Sequence, residues 1–309
     1  MKFVYFGSSR FSCTVLEYLY LGGFIPTLII SQPDKPKGRG LKVGPTEVSS
    51  FAAENDISLI RPRSLKDSAI HEQLQNTQAD FLIAADYGKI LPVSILSLPQ
   101  KLPLGLHPSL LPQYRGPAPV NWALLNCEKM TGITVFKINE KVDSGEIILQ
   151  KKIAIEERDN IFSLTETLAK EGARLLRETI KLVMEGNHTL TPQDESLASF
   201  APKLRKDDGR ISWKTDASRI INLIKATLGW PSAYTYLQDK SIKILDADVI
   251  DMAADVEPST IVKIDREGIC VVTSRRVLRI KRLKPEGKKD MDAWAFACGH
   301  RIKVGDKFS

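Results

Sequence analysis

Two residues that can exchange protons near neutral pH, His107 and Asp143, frame the most informative stretch of this sequence. His107 lies in a proline-rich loop, Asp143 lies in a later turn, and a strand-like run over 131–138 separates them. An imidazole changes its charge near neutral pH, and a carboxylate can orient it or relay its protons. If the two loop ends are neighbours, this pair predicts a reactive site.

The elements that must position this pair lie in the first part of the chain, where short apolar runs alternate with helical patterns. Strands are predicted at 2–6, 27–30 and 81–85, and Ser9 is a candidate helix cap after the first strand. This alternation predicts an α/β domain with a doubly wound, mostly parallel sheet, in which ligands bind beyond the carboxyl ends of the strands. No G-x-G-x-x-G follows Gly7, so a dinucleotide cofactor is not predicted.

The last third of the chain changes character. After a helix at 161–186 and a helix near 217–226, short strand candidates follow at close spacing, at 211–213, 233–237, 242–247, 260–264, 269–273 and 277–283. This spacing predicts a small closed β-barrel of the OB type. We therefore predict a domain at 1–187, a linker at 188–205 and a C-terminal barrel at 206–309.

The chain is basic, and most of the excess charge lies in the predicted barrel. The net charge is +7, and residues 206–309 contain 20 Lys and Arg against 15 Asp and Glu. The segment 32–48 is also rich in Pro, Gly and basic residues and reads as a surface loop. Such charge suits a polyanionic partner, because each neutralised phosphate releases counterions. The alternative for both regions is a plain solvated surface.

Composition narrows the class of protein. With 309 residues, 43% hydrophobic and 26% charged, the chain is typical of a soluble two-domain protein. It has no run of about 20 apolar residues for a membrane span and opens on a strand-like KFVYF rather than a signal peptide. Its four cysteines are scattered, which indicates reduced thiols and argues against a structural zinc site. We expect a cytoplasmic protein without a metal.

Several motifs in order resemble those of the folate-dependent formyltransferases. The resemblance begins with H-P-S-L-L-P-x-Y-R-G-P-A-P at 107–119, T-G-I-T at 131–134 and V-D-S-G at 142–145. Further motifs resemble the branch of that family that formylates methionine on initiator tRNA: S-Q-P-D-K-P-x-G-R-G at 31–40, A-D-Y-G-x-I-L-P at 85–92, F-A-P-K-L at 200–204, G-W-P-S-A at 229–233 and P-x-G-K-K-x-M at 285–291. The resemblance covers essentially the whole chain.

The resemblance implies a reaction and its partners. The formyl group of 10-formyltetrahydrofolate would pass to the amino group of methionine on initiator tRNA, with no metal, no membrane and a monomeric protein. The folate-binding residues that it implies are Ser109, Leu110, Leu111 and Pro112 in one segment, and Tyr87, Gly88, Ile90 and Leu91 in another. For tRNA, the basic residues of the loop and the barrel are the candidates: Lys35, Lys37, Arg39, Lys42, Arg279, Lys281, Lys288 and Lys289.

The resemblance also implies three catalytic side chains, and one of them is missing. His107 and Asp143 match the family's His and Asp, but Gly105 stands at the position of its Asn. Losing one donor to a developing oxyanion typically costs ~2.7–4 kcal/mol, or about 100- to 1000-fold in rate. Three outcomes are open: a water donates in its place, the amide of Asn121 or Asn126 reaches the oxyanion, or the donor is not replaced and the protein is a weak or inactive relative. We predict retained but reduced formyl transfer, and a higher turnover for Gly105→Asn.

Two other functions remain open at this point. One is a formyltransferase that shares the first domain and acts on an amino sugar nucleotide, against which the basic C-terminal barrel argues. The other is a non-catalytic RNA-binding paralogue that kept the fold, for which Gly105 is the best support. Binding of a folate analogue and of charged initiator tRNA, compared with formyl transfer, separates these possibilities.

Overall fold

The computed structural model of the protein describes residues 1–37 and 42–309 and divides into two compact units. The first unit comprises Met1–Val120, Lys129–Glu156 and Ser163–Pro202, and the second comprises Asn121–Glu128, Glu157–Phe162 and Lys203–Ser309. The segments 121–128 and 157–162 thus belong to the second unit, although the residues on both sides of each segment belong to the first. Most of the segment predicted as a linker, residues 188–202, is grouped with the first unit.

Apolar runs of the first unit form strands, and amphipathic runs form the helices between them. The strands are β1 (Phe3–Gly7), β2 (Leu28–Ile30), β3 (Lys35–Lys37), β4 (Lys42–Gly44), β5 (Leu59–Ile60), β6 (Phe81–Ala85), β7 (Leu102–His107), β8 (Met130–Lys137) and β9 (Ile147–Ala154). The helices that accompany them in sequence are α1 (Arg10–Leu21), α2 (Glu47–Glu54), α3 (Ser68–Asn76), α4 (Val93–Leu96), α5 (Pro119–Leu125) and α6 (Ile161–Glu185).

Seven of these strands form one sheet in the order β5-β2-β1-β6-β7-β8-β9. The pairs from β5 to β7 are parallel, whereas β8 and β9 are added antiparallel at one edge. Every residue of β1 and β2 is buried, as expected for a parallel sheet whose two faces are covered. Ser9 caps α1 by accepting a hydrogen bond from the Ser12 N–H at 3.2 Å. The predicted doubly wound, mostly parallel sheet is confirmed.

The strand register explains why the loop after β8 matters. His107 ends β7, at the carboxyl edge where ligands bind in such sheets. Because β8 runs antiparallel to β7, Lys137 pairs with Leu104 and Thr134 pairs with His107. The turn after β8 therefore starts beside Leu104, and the loop of residues 138–146 returns along the sheet to bring Asp143 close to His107.

The segment 32–48 has more regular structure than predicted. Strands β3 and β4 pair antiparallel, with Lys35 opposite Gly44 and Lys37 opposite Lys42. Helix α2 then begins within the same segment, capped by Thr46. Strands and helix thus occupy part of the segment predicted as a surface loop, and Arg39 lies outside the described residues.

The second unit is an antiparallel sheet with two helices. Its strands are β10 (Tyr234–Leu237), β11 (Lys240–Ile250), β12 (Ile261–Asp265), β13 (Gly268–Val272), β14 (Val277–Pro285) and β15 (Met291–Asp292), and its helices are α7 (Ala217–Thr227) and α8 (Ala293–His300). The strand order is β10-β11-β14-β13-β12, and β15 pairs with β14. The small C-terminal β-domain that the strand spacing predicts is confirmed, and its strands are antiparallel.

The last residues of the chain join the two edge strands of this sheet. On one side, Ser309 and Tyr236 exchange backbone hydrogen bonds of 2.8 and 2.9 Å. On the other side, the Ile261 N–H donates to the Asp306 carbonyl at 2.8 Å, and the Phe308 N–H donates to the Ser259 carbonyl at 3.0 Å. The carboxy-terminal residues thus connect β10 with the start of β12 through backbone hydrogen bonds, an arrangement that fits a small closed barrel.

One predicted strand of the second unit is wrong. Residues 211–213 form no strand, although the segment lies along β10. The Ile211 N–H donates to the Tyr234 carbonyl at 2.8 Å, and the Trp213 indole N–H donates to the Thr235 hydroxyl at 2.9 Å. Single contacts of this kind hold an apolar segment without a ladder.

Among the described residues, no helix has the length and apolar character that crossing a membrane requires.

Candidate active site

His107 is almost fully buried, with only 5% of its surface exposed, and both of its ring nitrogens face acceptors. Nε2 lies 2.8 Å from the Tyr114 carbonyl oxygen, a hydrogen-bonding distance. Nδ1 lies 3.6 Å from Oδ2 of Asp143, slightly longer than a hydrogen bond. The structure therefore brings together the two residues that the sequence singles out, with one ring nitrogen fixed and the other facing the carboxylate.

Asp143 reaches this position through an unusual backbone conformation. Its φ angle is +52°, in the left-handed region that residues other than glycine rarely adopt. Such a conformation costs about 1–3 kcal/mol and persists only where the surroundings enforce it. The Gly116 N–H donates to Asp143 Oδ2 at 2.9 Å, which fixes the carboxylate.

The space beside Gly105 is filled by an aromatic ring. Gly105 pairs with Phe136 on the neighbouring strand, and the Phe136 side chain is buried. A Cβ atom at Gly105 would lie 2.5 Å from Phe136 Cε1 and 3.1 Å from Ile138 Cγ1, and the first distance is too short for two carbon atoms. A side chain at position 105 therefore requires the ring to move. The amide of Asn121, one candidate replacement donor, donates instead to the Ala226 carbonyl at 2.7 Å.

The first segment predicted to bind folate is held from behind by hydrogen bonds. The Thr134 hydroxyl donates to the Ser109 carbonyl at 2.7 Å and accepts from the Leu111 N–H at 3.1 Å. The Ser109 hydroxyl donates to the Gln113 carbonyl at 2.6 Å. Ser109 and Leu111 are buried, whereas Leu110 and Pro112 are partly exposed. Only the latter two therefore present side chains to a ligand without rearrangement.

The second predicted folate segment divides in the same way. Tyr87 and Leu91 pack into the apolar core of the sheet domain, and burial raises the pKa of the Tyr87 hydroxyl to about 12. Gly88 and Ile90 are exposed, and 68% of Ile90 is accessible. The Gln32 side-chain amide donates to the Tyr87 carbonyl at 2.6 Å and so fixes the backbone that leads from Tyr87 to Gly88. In this segment the exposed candidates for ligand contact are Gly88 and Ile90.

The basic residues predicted to bind tRNA differ in their surroundings. Lys35, Lys37 and Lys42 lie in the β3–β4 hairpin. On β14, Arg279 is paired with Glu267, and Lys281 lies 3.1 Å from both Asp246 and Asp248. Lys288 and Lys289 are exposed in the turn after β14, and within the described part of the chain neither side chain has an ion-pair partner. The paired residues have less positive charge to offer a polyanion.

Three side chains that the sequence analysis does not single out hold the Asp143 turn. The Gln193 amide nitrogen donates to the backbone of this turn, Arg115 donates to the Gln193 amide oxygen, and Glu195 accepts from Arg115. Arg115 lies inside the first quoted motif, but Gln193 and Glu195 lie in the predicted linker. The signal available from sequence was a polar Gln-Asp-Glu run, 193–195, without helical periodicity. Among the described residues, no group of three or more His, Cys, Asp or Glu is placed to hold a metal ion.

Comparison with protein families decides the membership of this chain. Residues 1–180 match a family model described as formyl transferase, and residues 203–301 match one described as formyl transferase, C-terminal domain. The chain belongs to the formyl transferase family. His107 and Asp143 lie in the amino-terminal match, and most of the antiparallel sheet of the second unit lies in the carboxy-terminal match.

Curated relatives of this formyl transferase are similar over nearly their whole length. The chain is 41% identical to the methionyl-tRNA formyltransferase of Thermodesulfovibrio yellowstonii, over 99% of this chain and 98% of that protein. It is 39% identical to the methionyl-tRNA formyltransferase of Dictyoglomus thermophilum, over 100% of both chains. Both units therefore have counterparts in these relatives.

Solved structures with this fold are more distant in sequence. HypX from Aquifex aeolicus in complex with tetrahydrofolic acid has a TM-score of 0.65 and 16% identity, over 99% of this chain and 48% of that one. An N-formyltransferase from Helicobacter canadensis, in complex with folinic acid and dTDP-3-aminofucose, has a TM-score of 0.67 and 18% identity, over 91% of this chain and 99% of that one. At these identities the likeness establishes the fold alone.

Proposed function

We propose that this protein transfers the formyl group of 10-formyltetrahydrofolate to the amino group of methionine on initiator tRNA. The observation that carries the proposal is the similarity, over both units, to curated methionyl-tRNA formyltransferases. The arrangement of His107 and Asp143, 3.6 Å apart at the carboxyl edge of the sheet, supplies groups suited to this chemistry.

Formyl transfer moves one acyl group between two nitrogens. The amine nitrogen of methionine attacks the formyl carbon, and negative charge develops on the formyl oxygen. The bond between that carbon and the folate nitrogen then breaks. The amine loses one proton and the folate nitrogen gains one, so the reaction needs a group that relays a proton without consuming it.

The two ring nitrogens of His107 have separate roles in this proposal. The Tyr114 carbonyl holds Nε2–H at 2.8 Å and so fixes the ring. When protonated, Nδ1 donates to the formyl oxygen as its charge develops. Asp143 accepts the proton of the attacking amine and passes it to the leaving folate nitrogen. The Gly116 N–H bond to Oδ2 keeps the carboxylate oriented during both transfers.

Gly105 lowers the rate of this reaction without abolishing it. The buried edge of the Phe136 ring, which cannot donate a hydrogen bond to an oxyanion, occupies the place where the family has an amide. We therefore expect turnover about 100- to 1000-fold below that of an otherwise equal site with the amide present. In the proposal, the tRNA phosphates contact the β3–β4 hairpin and the exposed Lys288 and Lys289.

A formylation assay tests this proposal directly. Purified protein is mixed with 10-formyltetrahydrofolate and methionyl initiator tRNA, and formylmethionyl-tRNA is quantified over time. We expect product from the wild-type protein and a turnover lower by about 100- to 10,000-fold for His107→Ala, since it removes a positioned proton donor. Wild-type protein that forms no product at enzyme concentrations in excess of tRNA would refute the proposal.

The same assay decides between the alternative acceptors. A dTDP-linked amino sugar replaces the charged tRNA in one arm, because the Helicobacter canadensis structure with a similar fold holds such a ligand. Formylation of the sugar but not of methionyl-tRNA would assign the chain to that activity. Tight binding of methionyl-tRNA without formyl transfer to either acceptor would identify a non-catalytic RNA-binding paralogue.

A further inference from the structure

The Gln193 side chain holds both ends of the Asp143 turn. Its amide nitrogen donates to the Asp143 carbonyl at 3.0 Å and to the Gly145 carbonyl at 2.7 Å. These two hydrogen bonds span the residue whose carboxylate faces His107 and the second residue after it. They restrain the backbone at Asp143 in the left-handed region, which is uncommon for residues other than glycine.

Arg115 and Glu195 fix the orientation of the Gln193 amide. Arg115 Nε and Nη2 donate to Gln193 Oε1 at 3.1 and 2.8 Å, so the amide oxygen points to the guanidinium and the amide nitrogen points to the turn. Arg115 is only 5% exposed and is held in turn by both oxygens of Glu195, at 2.9 and 2.8 Å. The hydrogen bonds from Arg115 lower the pKa of Glu195. A buried guanidinium that makes paired hydrogen bonds to two partners has a fixed orientation.

The segment 114–116 connects this support to both catalytic groups. The Tyr114 carbonyl contacts His107, the Gly116 N–H contacts the Asp143 carboxylate, and the Arg115 side chain between them runs to Gln193. The Arg115 backbone is itself held by the chain after Gln193, through hydrogen bonds with Ser199 and Ala201 of 2.8 and 2.7 Å. One short segment thus sets the positions of His107 and of the Asp143 side chain, while Gln193 sets the Asp143 backbone.

We infer that Gln193 is a positioning residue for formyl transfer, which holds the Asp143 carboxylate at its working distance from His107 and is itself oriented by Arg115 and Glu195. The inference rests on the proposed function for its kinetic consequence. Without the two hydrogen bonds from Gln193, the Asp143 turn is free to leave its left-handed conformation. A displacement of about 1 Å in a reacting group can cost about 100-fold in rate.

Two substitutions at Gln193 test the inference. Gln193→Met keeps the length of the side chain and removes its hydrogen bonds, and Gln193→Glu keeps an acceptor for Arg115 but cannot donate to the two carbonyls. We expect kcat to fall by about 10- to 100-fold in both variants. KM for the folate donor and for methionyl-tRNA stays unchanged, because Gln193 acts on the geometry of Asp143 rather than on substrate binding.

A matched control and a structural measurement make the test decisive. Gln100→Met changes an exposed glutamine whose amide contacts the Gln78 carbonyl at 3.5 Å, and its kcat should equal that of the wild type. If Gln193→Met does not fold, Gln193→Glu decides. Unchanged kcat in the folded Gln193 variants, or a raised KM with kcat intact, would overturn the inference.

The structural measurement does not depend on formyl transfer. In a crystal structure of a Gln193 variant, we expect the Asp143 φ angle to leave the left-handed region and the distance from Oδ2 to His107 Nδ1 to exceed 3.6 Å. An unchanged turn would overturn the inference even if the wild-type protein proved inactive. Absence of activity in the wild type with a displaced turn in the variant would instead refute the proposed function alone.

Discussion

The Asp143 turn and the exposed face of β14 both contain ion pairs, but these pairs do different things. At the turn, Glu195 holds Arg115, Arg115 orients Gln193, and the Gln193 amide holds the backbone of the residue that faces His107. On β14, Lys281 pairs with two aspartates of β11, which is its neighbour in the sheet. The first pairing helps to fix the turn that brings a carboxylate to His107, whereas the second joins two strands and removes positive charge from the surface.

The role of a charged residue therefore depends on its partners in the fold, which the sequence alone does not show. Arg115 is buried although its partner Glu195 is 71% exposed, and its paired hydrogen bonds to Glu195 and Gln193 give the guanidinium one geometry, which can serve catalysis. A half-exposed pair on a barrel contributes little to stability, typically about 0–1 kcal/mol, and leaves less charge for a polyanionic ligand. Counting basic residues therefore overestimates the positive charge available to tRNA. The motif around His107, in contrast, marks a place where His107 and Asp143 do lie close together.

The largest effect expected from this comparison is at Asp143 itself. Asp143→Asn keeps an oxygen that can accept from the Gly116 N–H, so the turn is retained, but it loses the carboxylate that relays the proton in the proposed mechanism. We expect kcat for formyl transfer to fall by about 100- to 10,000-fold. Steady-state kinetics with methionyl-tRNA measure it.

The matched control for this substitution lies on the other side of the comparison. Asp248→Asn makes the same chemical change in an aspartate that pairs with Lys281 at 3.1 Å. We expect its kcat to equal that of the wild type and its free energy of unfolding to change by less than about 1 kcal/mol. Equal losses of kcat in Asp143→Asn and Asp248→Asn would remove the distinction between the two kinds of pair.

A second prediction concerns the apolar contact at the site. Gly105→Asn alone should lower the stability by about 1–3 kcal/mol and give no gain in turnover, because the Phe136 ring occupies the space that the amide needs. This replaces the expectation, drawn from the sequence, that the single substitution raises turnover. Leucine lacks the Cε1 and Cζ atoms that approach Gly105, so Phe136→Leu makes room for the amide.

The double variant, Gly105→Asn with Phe136→Leu, is therefore the one in which turnover should rise. The gain is at most about 100- to 1000-fold, the amount attributed to one oxyanion donor. The Phe136→Leu single variant is the control, and we expect no gain from it. A rise in kcat for Gly105→Asn alone would show that the ring moves readily, and no rise in the double variant would show that a missing amide does not limit the rate.

The fold was accessible from the sequence because its signals are local. Apolar runs and a capping serine indicated β1, α1, β2 and β6, and the spacing of short strands indicated the barrel. The run at 211–213 failed because a few apolar residues also suit a segment that contacts a sheet through single hydrogen bonds. The closing of the barrel by residues 305–309 had no sequence signal, since those residues lack an alternating pattern.

The site was accessible only in part, for a related reason. Resemblance to a family located His107, Asp143 and the departure at Gly105. It did not show that Phe136 lies against Gly105, because the two are 31 positions apart and only the pairing of β7 with β8 brings them together. Gln193 was missed because its role depends on two backbone carbonyls, which leave no trace in a sequence.

The smallest predicted effect concerns tRNA binding. Each phosphate contact made by a lysine contributes about one unit to the slope of log affinity against log salt concentration. Lys288→Ala with Lys289→Ala removes two exposed lysines without ion-pair partners among the described residues, so we expect the slope to fall by about 2. Filter binding of methionyl-tRNA at several salt concentrations measures it.

Lys281→Ala provides the comparison within the same strand and turn. Because Lys281 already lies 3.1 Å from Asp246 and from Asp248, its removal should leave the salt slope unchanged and should affect only stability. A slope that falls equally in Lys281→Ala and in the Lys288 and Lys289 variant would mean that tRNA displaces the aspartates from Lys281. The Lys281 pairs would then break when tRNA binds and free a positive charge for its phosphates. The contrast with the Arg115–Glu195 pair near the Asp143 turn would become sharper, because that pair must stay intact to hold the turn.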